Sequence, residues 1–280
     1  MQKIKIVTDS SATMSKEQIE SLGIHVIPLT VMIDSVIYID GVTVKCDEFM
    51  NLMEQSENLP KTSQPPIGEF VELYNELSRD GSKVISIHLA ETLSGTVNTA
   101  RQAASIADGD ITVIDSHFTD QSLGFLVLEA AKMANEGIDK DEIVKRVKDL
   151  RDHHSFLFMG VAKLDNLVKG GRINKFAGML SNILNMRIIL DMRNSELDVI
   201  AKGRGEKLFI KSFNKFKNEI KDLDIVHLGI SHAGAEELAL RFKKELQELF
   251  PNLCIVVEQT SPIIATHSGS GAFAIMYQTK

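Results

Sequence analysis

The sequence predicts an α/β protein of two domains, and the order of its elements in each half leads to that prediction. In the first half, short apolar runs alternate with amphipathic stretches, which is typical of a parallel sheet covered by helices on both faces. After a charged stretch near residue 150, neighbouring strands instead follow one another through polar turns. We therefore expect residues 1–153 to form a three-layer α/β/α domain with a mainly parallel sheet. Residues 154–280 should form a smaller α/β domain with a mixed sheet.

The elements of the first half are read from apolar periodicity and from capping residues. Ser15 and Gln18 predict a capping box for a helix that ends near Ser21, with Gly23 as its stop. The predicted strands are Ile4–Val7, His25–Ile33, Val84–Leu89 and Ile111–Ile114. The predicted helices are Cys46–Ser56, Ile67–Leu77, Thr96–Ala107, Asp120–Ala134 and a charged helix over Gly137–Arg151.

The second half is read in the same way. Its predicted strands are Phe156–Val161, Arg187–Leu190, Leu197–Ala201, Ile225–Ile230, Cys254–Val257 and Ala272–Tyr277. Its predicted helices are Ile173–Leu184, Glu206–Ile220 and Ala235–Leu249. In sheets of this kind ligands collect beyond the carboxyl ends of the strands, where Thr8 to Ser11, Thr92 to Thr96 and Asp115-Ser116 are expected.

Composition excludes several classes of function. A net charge of −7 and the absence of Trp argue against nucleic-acid binding, which needs a basic surface and aromatic stacking. Two cysteines, Cys46 and Cys254, are too few for a disulfide framework or a zinc site, so no metal is expected. The N-terminus resembles a strand rather than a signal peptide, and no apolar run is long enough to span a membrane. We expect a cytoplasmic protein.

Small, hydroxyl-bearing residues follow the ends of three apolar segments. These stretches are Thr62-Ser63-Gln64-Pro65, Leu93-Ser94-Gly95-Thr96 and Thr266-His267-Ser268-Gly269. Each is expected on a turn, offers neutral hydrogen-bond donors and contains no Arg or Lys. Such a site can hold an oxyanion without neutralising its charge. That chemistry suits a protein that binds an acid and lets another molecule react with it.

Other interpretations of the same residues stay open. Ser94 could simply cap the helix that follows it, or it could be a nucleophile with His267 as its base. The sequence around Ser94 lacks the Gly-x-Ser-x-Gly pattern of hydrolases, which weakens the second interpretation. No phosphate-binding loop is present either, which argues against a nucleotide-binding regulator. Arg172 and Arg204, each beside glycine, could be exposed turn residues or contacts for a carboxylate, a phosphate or a partner.

Taken together, six motifs in this order resemble the DegV family over essentially the whole length. They are Thr8-Asp9-Ser10-Ser11, Thr62-Ser63-Gln64-Pro65, Leu93-Ser94-Gly95-Thr96, Asp115-Ser116, Gly170-Gly171-Arg172-Ile173 and His267-Ser268-Gly269-Ser270-Gly271. The last motif departs from the usual His-Thr-Gly-Pro-Gly, and Met186-Arg187 stands where a Lys-Pro pair is common.

The resemblance implies two α/β domains with a long-chain fatty acid buried between them and no other cofactor. It implies a non-enzymatic role, as the fatty-acid-binding subunit of a bacterial fatty acid kinase. A separate ATP-using subunit would phosphorylate the presented carboxylate, giving acyl-phosphate for phospholipid synthesis. Transient contact with a membrane surface would exchange the lipid.

The resemblance also implies site residues. Thr62, Ser94 and His267 correspond to ligands of the fatty-acid carboxylate. The expected neighbours in that site are Ser63, Gly95, Ser116 and Ser268, and the residues expected to contact the kinase are Arg172 and Arg204. Candidates for the tunnel wall, which could equally be ordinary core, are Phe125, Leu126, Phe176, Met179, Ile183 and Ile263. The rival hypothesis is a self-sufficient acyl hydrolase or transferase that uses Ser94 with His267.

Overall fold

The computed structural model describes residues 3–172, 186–193 and 195–280. The predicted helix Ile173–Leu184 lies outside the described residues, and so do Phe176, Met179 and Ile183. In chain order the elements are β1 (Ile4–Asp9), α1 (Lys16–Leu22), β2 (His25–Ile27), β3 (Thr30–Ile33), β4 (Val36–Ile39), α2 (Cys46–Gln55), β5 (Lys61–Ser63), α3 (Ile67–Ser78), β6 (Lys83–His88), α4 (Thr96–Ile106), β7 (Ile111–Asp115), α5 (Asp120–Asn135), α6 (Lys140–Asp149), a π-helical turn (Leu150–His154), β8 (Ser155–Val161), α7 (Asp165–Lys169), β9 (Met186–Arg193), β10 (Glu196–Arg204), α8 (Lys207–Ile220), β11 (Ile225–Ala233), α9 (Glu236–Leu249), β12 (Ile255–Gln259), α10 (Pro262–Ser268) and β13 (Ala272–Thr279).

The first sheet is parallel throughout, with strand order β2-β1-β6-β7. Helices α3 and α4 pack on one face through Phe70, Tyr74 and Ala100. Helices α5 and α6 cover the other face through Leu123, Leu126 and Ile143. The predicted α/β/α layering is therefore confirmed. Ser15 and Gln18 form the expected capping box, and Gly23 ends α1 in the left-handed conformation at φ 65°.

The second sheet has six strands in the order β10-β9-β8-β13-β11-β12. Its pairs are antiparallel except β11 with β12, so the predicted mixed sheet is also confirmed. Helices α8 and α9 cover one face with a cluster of aromatic rings that includes Phe213 and Phe242. The opposite face shares an apolar cluster with α5, which therefore packs between the two sheets.

Buried hydrogen bonds connect α5 to the second sheet. Asp120, at the first position of α5, accepts hydrogen bonds from Ser231 on β11 and from Thr260 just after β12, each at 2.7 Å. Burial raises the pKa of the Asp120 carboxyl, and these hydroxyl donors partly offset that rise. The boundary at residue 153 falls in the π-helical turn that joins α6 to β8, and it stays a prediction.

One predicted strand, His25–Ile33, is wrong. The chain leaves the first sheet after β2, and β3 begins a separate antiparallel sheet of order β4-β3-β5. Pro28 stands between the two strands; it has no N–H for a sheet ladder and fixes φ, so it breaks the run. The small sheet and α2 pack against α10 through Val31, Phe49 and Ile263.

Candidate functional site

A cavity of about 350 Å³ lies between the carboxyl edge of the first sheet, the second sheet and α10. Its apolar wall consists of Leu29, Leu89, Leu93, Leu157, Met159, Leu167, Met192, Leu197, Ile263 and Ile264. Its polar lining consists of Thr62, Ser63, Gln64, Ser94, Gly95, Thr119, Arg172, His267 and Ser268. A space of this size, mostly apolar with a few convergent polar groups, is typical of a small-molecule site.

Buried hydrogen bonds fix the carboxyl edge of the first sheet beside this cavity. Asp9 at the end of β1 accepts from the backbone N–H of Leu89 and contacts His88 Nδ1, both at 3.0 Å. It also accepts from the Ser11 hydroxyl at 2.6 Å. These bonds hold the loop after β6, which carries Leu93 and Ser94 into the cavity wall.

The Thr62 hydroxyl and the His267 ring make the central polar contact of the site. Thr62 lies on β5 and His267 in the last turn of α10, and Thr62 Oγ1 is 2.9 Å from His267 Nε2. Burial, with a smaller effect of the Arg172 charge, lowers the pKa of His267 to about 4. The imidazole is therefore neutral at physiological pH, so the site contains a neutral donor pair rather than an imidazolium ion.

The surroundings of the His267 ring decide which nitrogen carries the proton. Among the residues that the structure describes, none is a hydrogen-bond partner of the buried Nδ1. A buried N–H without a partner costs more than a buried lone pair, so Nδ1 is the unprotonated nitrogen. Nε2–H then donates to Thr62 Oγ1, and the Thr62 hydroxyl can donate its own hydrogen to another acceptor. Gly170 packs closely here, because a Cβ on it would lie 2.7 Å from His267 Nδ1.

The Ser94 hydroxyl lies at the turn between β6 and α4. Its Oγ is 2.9 Å from Thr96 Oγ1 and accepts from the Thr96 N–H at 3.3 Å. Gly95 follows at the start of α4, and a Cβ there would meet the Gln64 side chain at 2.2 Å. Gln64 in turn donates to Thr99 Oγ1 at 2.5 Å, which joins the end of β5 to α4.

The remaining expected ligands differ in position. Ser63 and Ser268 line the cavity, and over residues 3–172, 186–193 and 195–280 the buried Ser268 hydroxyl has no hydrogen-bond partner. Ser116 is not brought to the cavity. Its hydroxyl donates to the carbonyl of Phe118 and accepts from the Phe118 N–H, so it closes the turn after β7.

The two arginines also lie apart. Arg172 lines the cavity, and its guanidinium donates to the carbonyls of Leu93 at 3.1 Å and Gly170 at 2.6 Å. Arg204 is exposed at the end of β10. Sequence reasoning assigned Arg172 to a partner contact and missed its place in the cavity lining. It also did not single out Gln64 and Thr119, although Gln64 belongs to the quoted Thr-Ser-Gln-Pro motif.

A second depression, which we call the outer groove, has a volume of about 780 Å³ and opens on the other side of the Thr62–His267 pair. Thr62, Arg172 and His267 line both the cavity and the outer groove. The other walls of the groove come from the β3–β4 turn, the segment before β5, and α7 with the residues beside it. The polar end of the cavity therefore faces the protein surface.

The geometry does not assemble a hydrolase triad. Ser94 bonds to Thr96 and His267 to Thr62, and no hydrogen bond joins Ser94 to His267 in the described part of the chain. Over the same residues, no group of three His, Cys, Asp or Glu side chains could hold a metal ion. Among the helices of residues 3–172, 186–193 and 195–280, none has the length and apolar character to cross a membrane.

Comparison with known proteins gives concordant matches along the whole chain. The family model "Uncharacterised protein, DegV family COG1307" matches residues 3–280. A DegV domain-containing protein of Streptococcus pneumoniae is 45% identical over 276 residues, covering 99% of this chain and 98% of its own length.

Two solved structures extend the comparison to the fold. DegV of Bacillus subtilis, described as a fatty acid binding protein, superimposes with a TM-score of 0.92 at 31% identity, covering 100% of both chains. The fatty acid kinase (Fak) B3 protein of Streptococcus pneumoniae, solved loaded with linoleic acid, shares the fold at 22% identity, with a TM-score of 0.83 and 100% of both chains covered. Family model, relatives and fold agree: this chain belongs to the DegV family.

Proposed function

We propose that this protein binds a long-chain fatty acid in the cavity and presents the carboxylate to a separate ATP-dependent kinase subunit. The observation that carries the proposal is the position of the Thr62–His267 pair. It lies at the polar end of an apolar cavity and also borders the outer groove. An acyl chain would lie among the leucine and methionine side chains, with its acidic end at the surface. The fatty acid bound by the Bacillus subtilis relative supports this choice of ligand.

The acyl chain supplies most of the affinity in this proposal. Burying a methylene group is worth about 0.8 kcal/mol, so about fourteen of them contribute up to roughly 11 kcal/mol before the cost of association. A carboxylate without partners would cost several kcal/mol to bury. The Thr62 and Ser94 hydroxyls offset that cost as donors, and Ser63, the Gly95 turn and Ser268 complete the wall around the head group.

The neutral donors leave the carboxylate nucleophilic. A salt bridge would hold its electrons more tightly, whereas hydroxyl donors orient the oxygens and leave their charge available to attack a phosphoryl group. Arg172 lies at the boundary between cavity and groove, where it can contact a phosphoryl group arriving from outside. The chain itself would perform no bond-making step, and the kinase subunit would supply ATP and its metal in the cytoplasm. The acyl-phosphate would serve phospholipid synthesis.

Extraction of the purified protein tests the binding step. Denaturing extraction followed by mass spectrometry should release about one long-chain fatty acid per chain. A Met159→Trp variant, whose larger side chain fills the apolar wall, should release much less while remaining folded. Adding a kinase subunit, ATP and hydroxylamine to the lipid-loaded protein should then give the acyl hydroxamate. A folded protein that carries and takes up no fatty acid would refute the proposal.

A further inference from the structure

The three-stranded sheet has an outer face that faces away from α2 and α10. Its register places Met32 opposite both Ile37 and Lys61, and Thr30 opposite both Ile39 and Ser63. Because side chains alternate along a strand, these six lie on one face, and Val31 and Ile33 lie on the other. Val31 and Ile33 are buried in the core, so the face with Ile37 and Ile39 is the one that points outward.

Exposed apolar side chains are concentrated in and just after β4, and two of them, Ile37 and Ile39, belong to this face. Ile37 is 66% exposed and Ile39 36%; Val36, which pairs with Ile33 and so lies on the other face, is 50% exposed, and Val42 in the turn after β4 is 70% exposed. We call these four residues the hairpin patch. Apolar side chains grouped on a surface in this way usually mark an interaction site, whereas isolated ones do not.

At the free edge of β4, the backbone groups of Ile39 are occupied. The Ile39 N–H donates to Thr43 Oγ1 at 2.7 Å, and the Ile39 carbonyl accepts from the Thr43 N–H at 2.9 Å. An added strand needs free backbone groups along the edge. The occupied groups of Ile39 shorten the edge with which β4 of a second copy could pair, and contact through the apolar side chains is favoured instead.

The outer face also leads directly to the candidate site. Met32 and Lys61 line the outer groove, and Ser63 lines the cavity. The row from Ile37 through Met32 to Lys61 thus ends beside Thr62. A phosphoryl donor must bring its reacting atom to within about 3–3.5 Å of the carboxylate. A protein that reaches the head group through the groove would lie over its walls, which include Met32 and Lys61 of this face.

We propose that the outer face of the three-stranded sheet, with the hairpin patch, is a docking surface for the ATP-binding kinase subunit. This inference rests on the proposed function. The partner would present an apolar surface to Ile37 and Ile39 and an acidic group to Lys61, which makes no ion pair in the described part of the chain. Docking there would place the catalytic part of the kinase over the outer groove.

The test compares two exposed isoleucines. Ile37→Glu lies in the hairpin patch, and Ile106→Glu, at a residue 61% exposed at the end of α4, is the matched control. Each lipid-loaded protein is titrated into the ATP-binding subunit of the Streptococcus pneumoniae fatty acid kinase, and acyl-phosphate formation is measured. Ile37→Glu should raise the half-saturating concentration about tenfold or more with little change in the rate at saturation. Ile106→Glu should change the half-saturating concentration less than about twofold. Val42→Glu provides a second patch variant.

The outcomes separate this inference from the proposed function. Equal half-saturating concentrations for Ile37→Glu, Val42→Glu and Ile106→Glu, with normal turnover of the wild type, would overturn the docking surface alone. Lack of turnover by the lipid-loaded wild type would overturn both proposals. A third outcome is that the wild type self-associates, that Ile37→Glu makes it monomeric, and that the kinase titration is unchanged. This outcome would assign the patch to contact with a second copy and would also overturn the inference.

Discussion

The Thr62 hydroxyl and the His267 imidazole meet at 2.9 Å across 205 positions of the chain. Because His267 is neutral and its Nδ1 lacks a partner among the described residues, the hydrogen bond of the ring in the site is the one with Thr62. The contact joins the small sheet to α10, and in the proposed function it would orient a donor toward the head group of the fatty acid. The predictions below depend on that arrangement.

We expect His267→Ala to impair presentation of the lipid more than folding. Losing this buried hydrogen bond costs about 1–3 kcal/mol, which corresponds to a fall of roughly fivefold to 150-fold in the kinase-coupled rate. The amount of fatty acid extracted should change little, because the acyl chain dominates affinity. His153→Ala, at an exposed histidine, is the control. Normal acyl-phosphate formation by His267→Ala would show that the head-group assignment is wrong.

Pure protein should not react with an activated acyl ester. Ser94 bonds to Thr96 and His267 to Thr62, so the described part of the chain places no base to activate Ser94. Stopped-flow measurement with a nitrophenyl ester should show neither a burst nor turnover above that of Ser94→Ala. A burst that Ser94→Ala abolishes would instead support the acyl hydrolase or transferase hypothesis.

Arg172→Ala and Arg204→Ala should differ in their kinetics. Arg172 lies between cavity and groove, so its loss should lower the rate at saturating protein by tenfold or more and leave fatty-acid content intact. Arg204 is exposed and outside the cavity lining, so its loss should raise the half-saturating concentration instead. Undiminished turnover of Arg172→Ala, or unaltered titration of Arg204→Ala, would contradict the role given to that residue.

Stability should depend on pH through Asp40. This buried carboxyl after β4 accepts from the Ser10 hydroxyl at 2.7 Å, and burial raises its pKa to about 7. Between about pH 4 and 7 the folded protein therefore holds a proton that the unfolded chain has released. The contribution of this proton to the free energy of unfolding is complete below about pH 4 and is lost as the pH rises through about 7.

Asp40→Asn should remove that loss. Relative to wild type, the free energy of unfolding of the variant should rise by roughly 3 kcal/mol more at pH 8 than at pH 5. Thermal or denaturant unfolding of both proteins at both pH values measures these free energies. Subtracting the wild-type change with pH from that of the variant removes the pH dependence that both proteins share through His267, whose pKa is lowered, and Asp120, whose pKa is raised. If the free energies of unfolding of variant and wild type differ by the same amount at pH 5 and at pH 8, the result would argue against the raised pKa of Asp40.

The sequence predicted much of the fold because local signals mark most of its elements. Alternating apolar runs identified β1, β6 and β7, and a capping box identified the start of α1. The order of these elements was enough to predict a parallel sheet. The position of the Ser94 turn between β6 and α4 was predicted for the same reason.

The candidate site was only partly predictable, because it depends on contacts between distant segments. Thr62 and Ser63 were expected on a turn, yet they lie on β5, a strand of three residues that exists only through its pairing with β3. His267 was likewise expected on a turn but lies in α10, whose start is capped by Ser261 with Pro262 in its first turn. Nothing local indicates that Arg172 faces the same cavity, since the cavity forms only when both halves pack together.

The position of β13 has a consequence for the wall of the cavity. This strand comprises Ala272–Thr279, and it lies in the interior of the second sheet between β8 and β11. Its ladder with β8 pairs Phe273 with Gly160, more than a hundred positions earlier in the sequence. In the described part of the chain, β13 joins the ladder β10-β9-β8, which lines the cavity through Leu157, Met159 and Met192, to β11 and β12. A substitution that disrupts this strand should therefore disturb the cavity wall through β8.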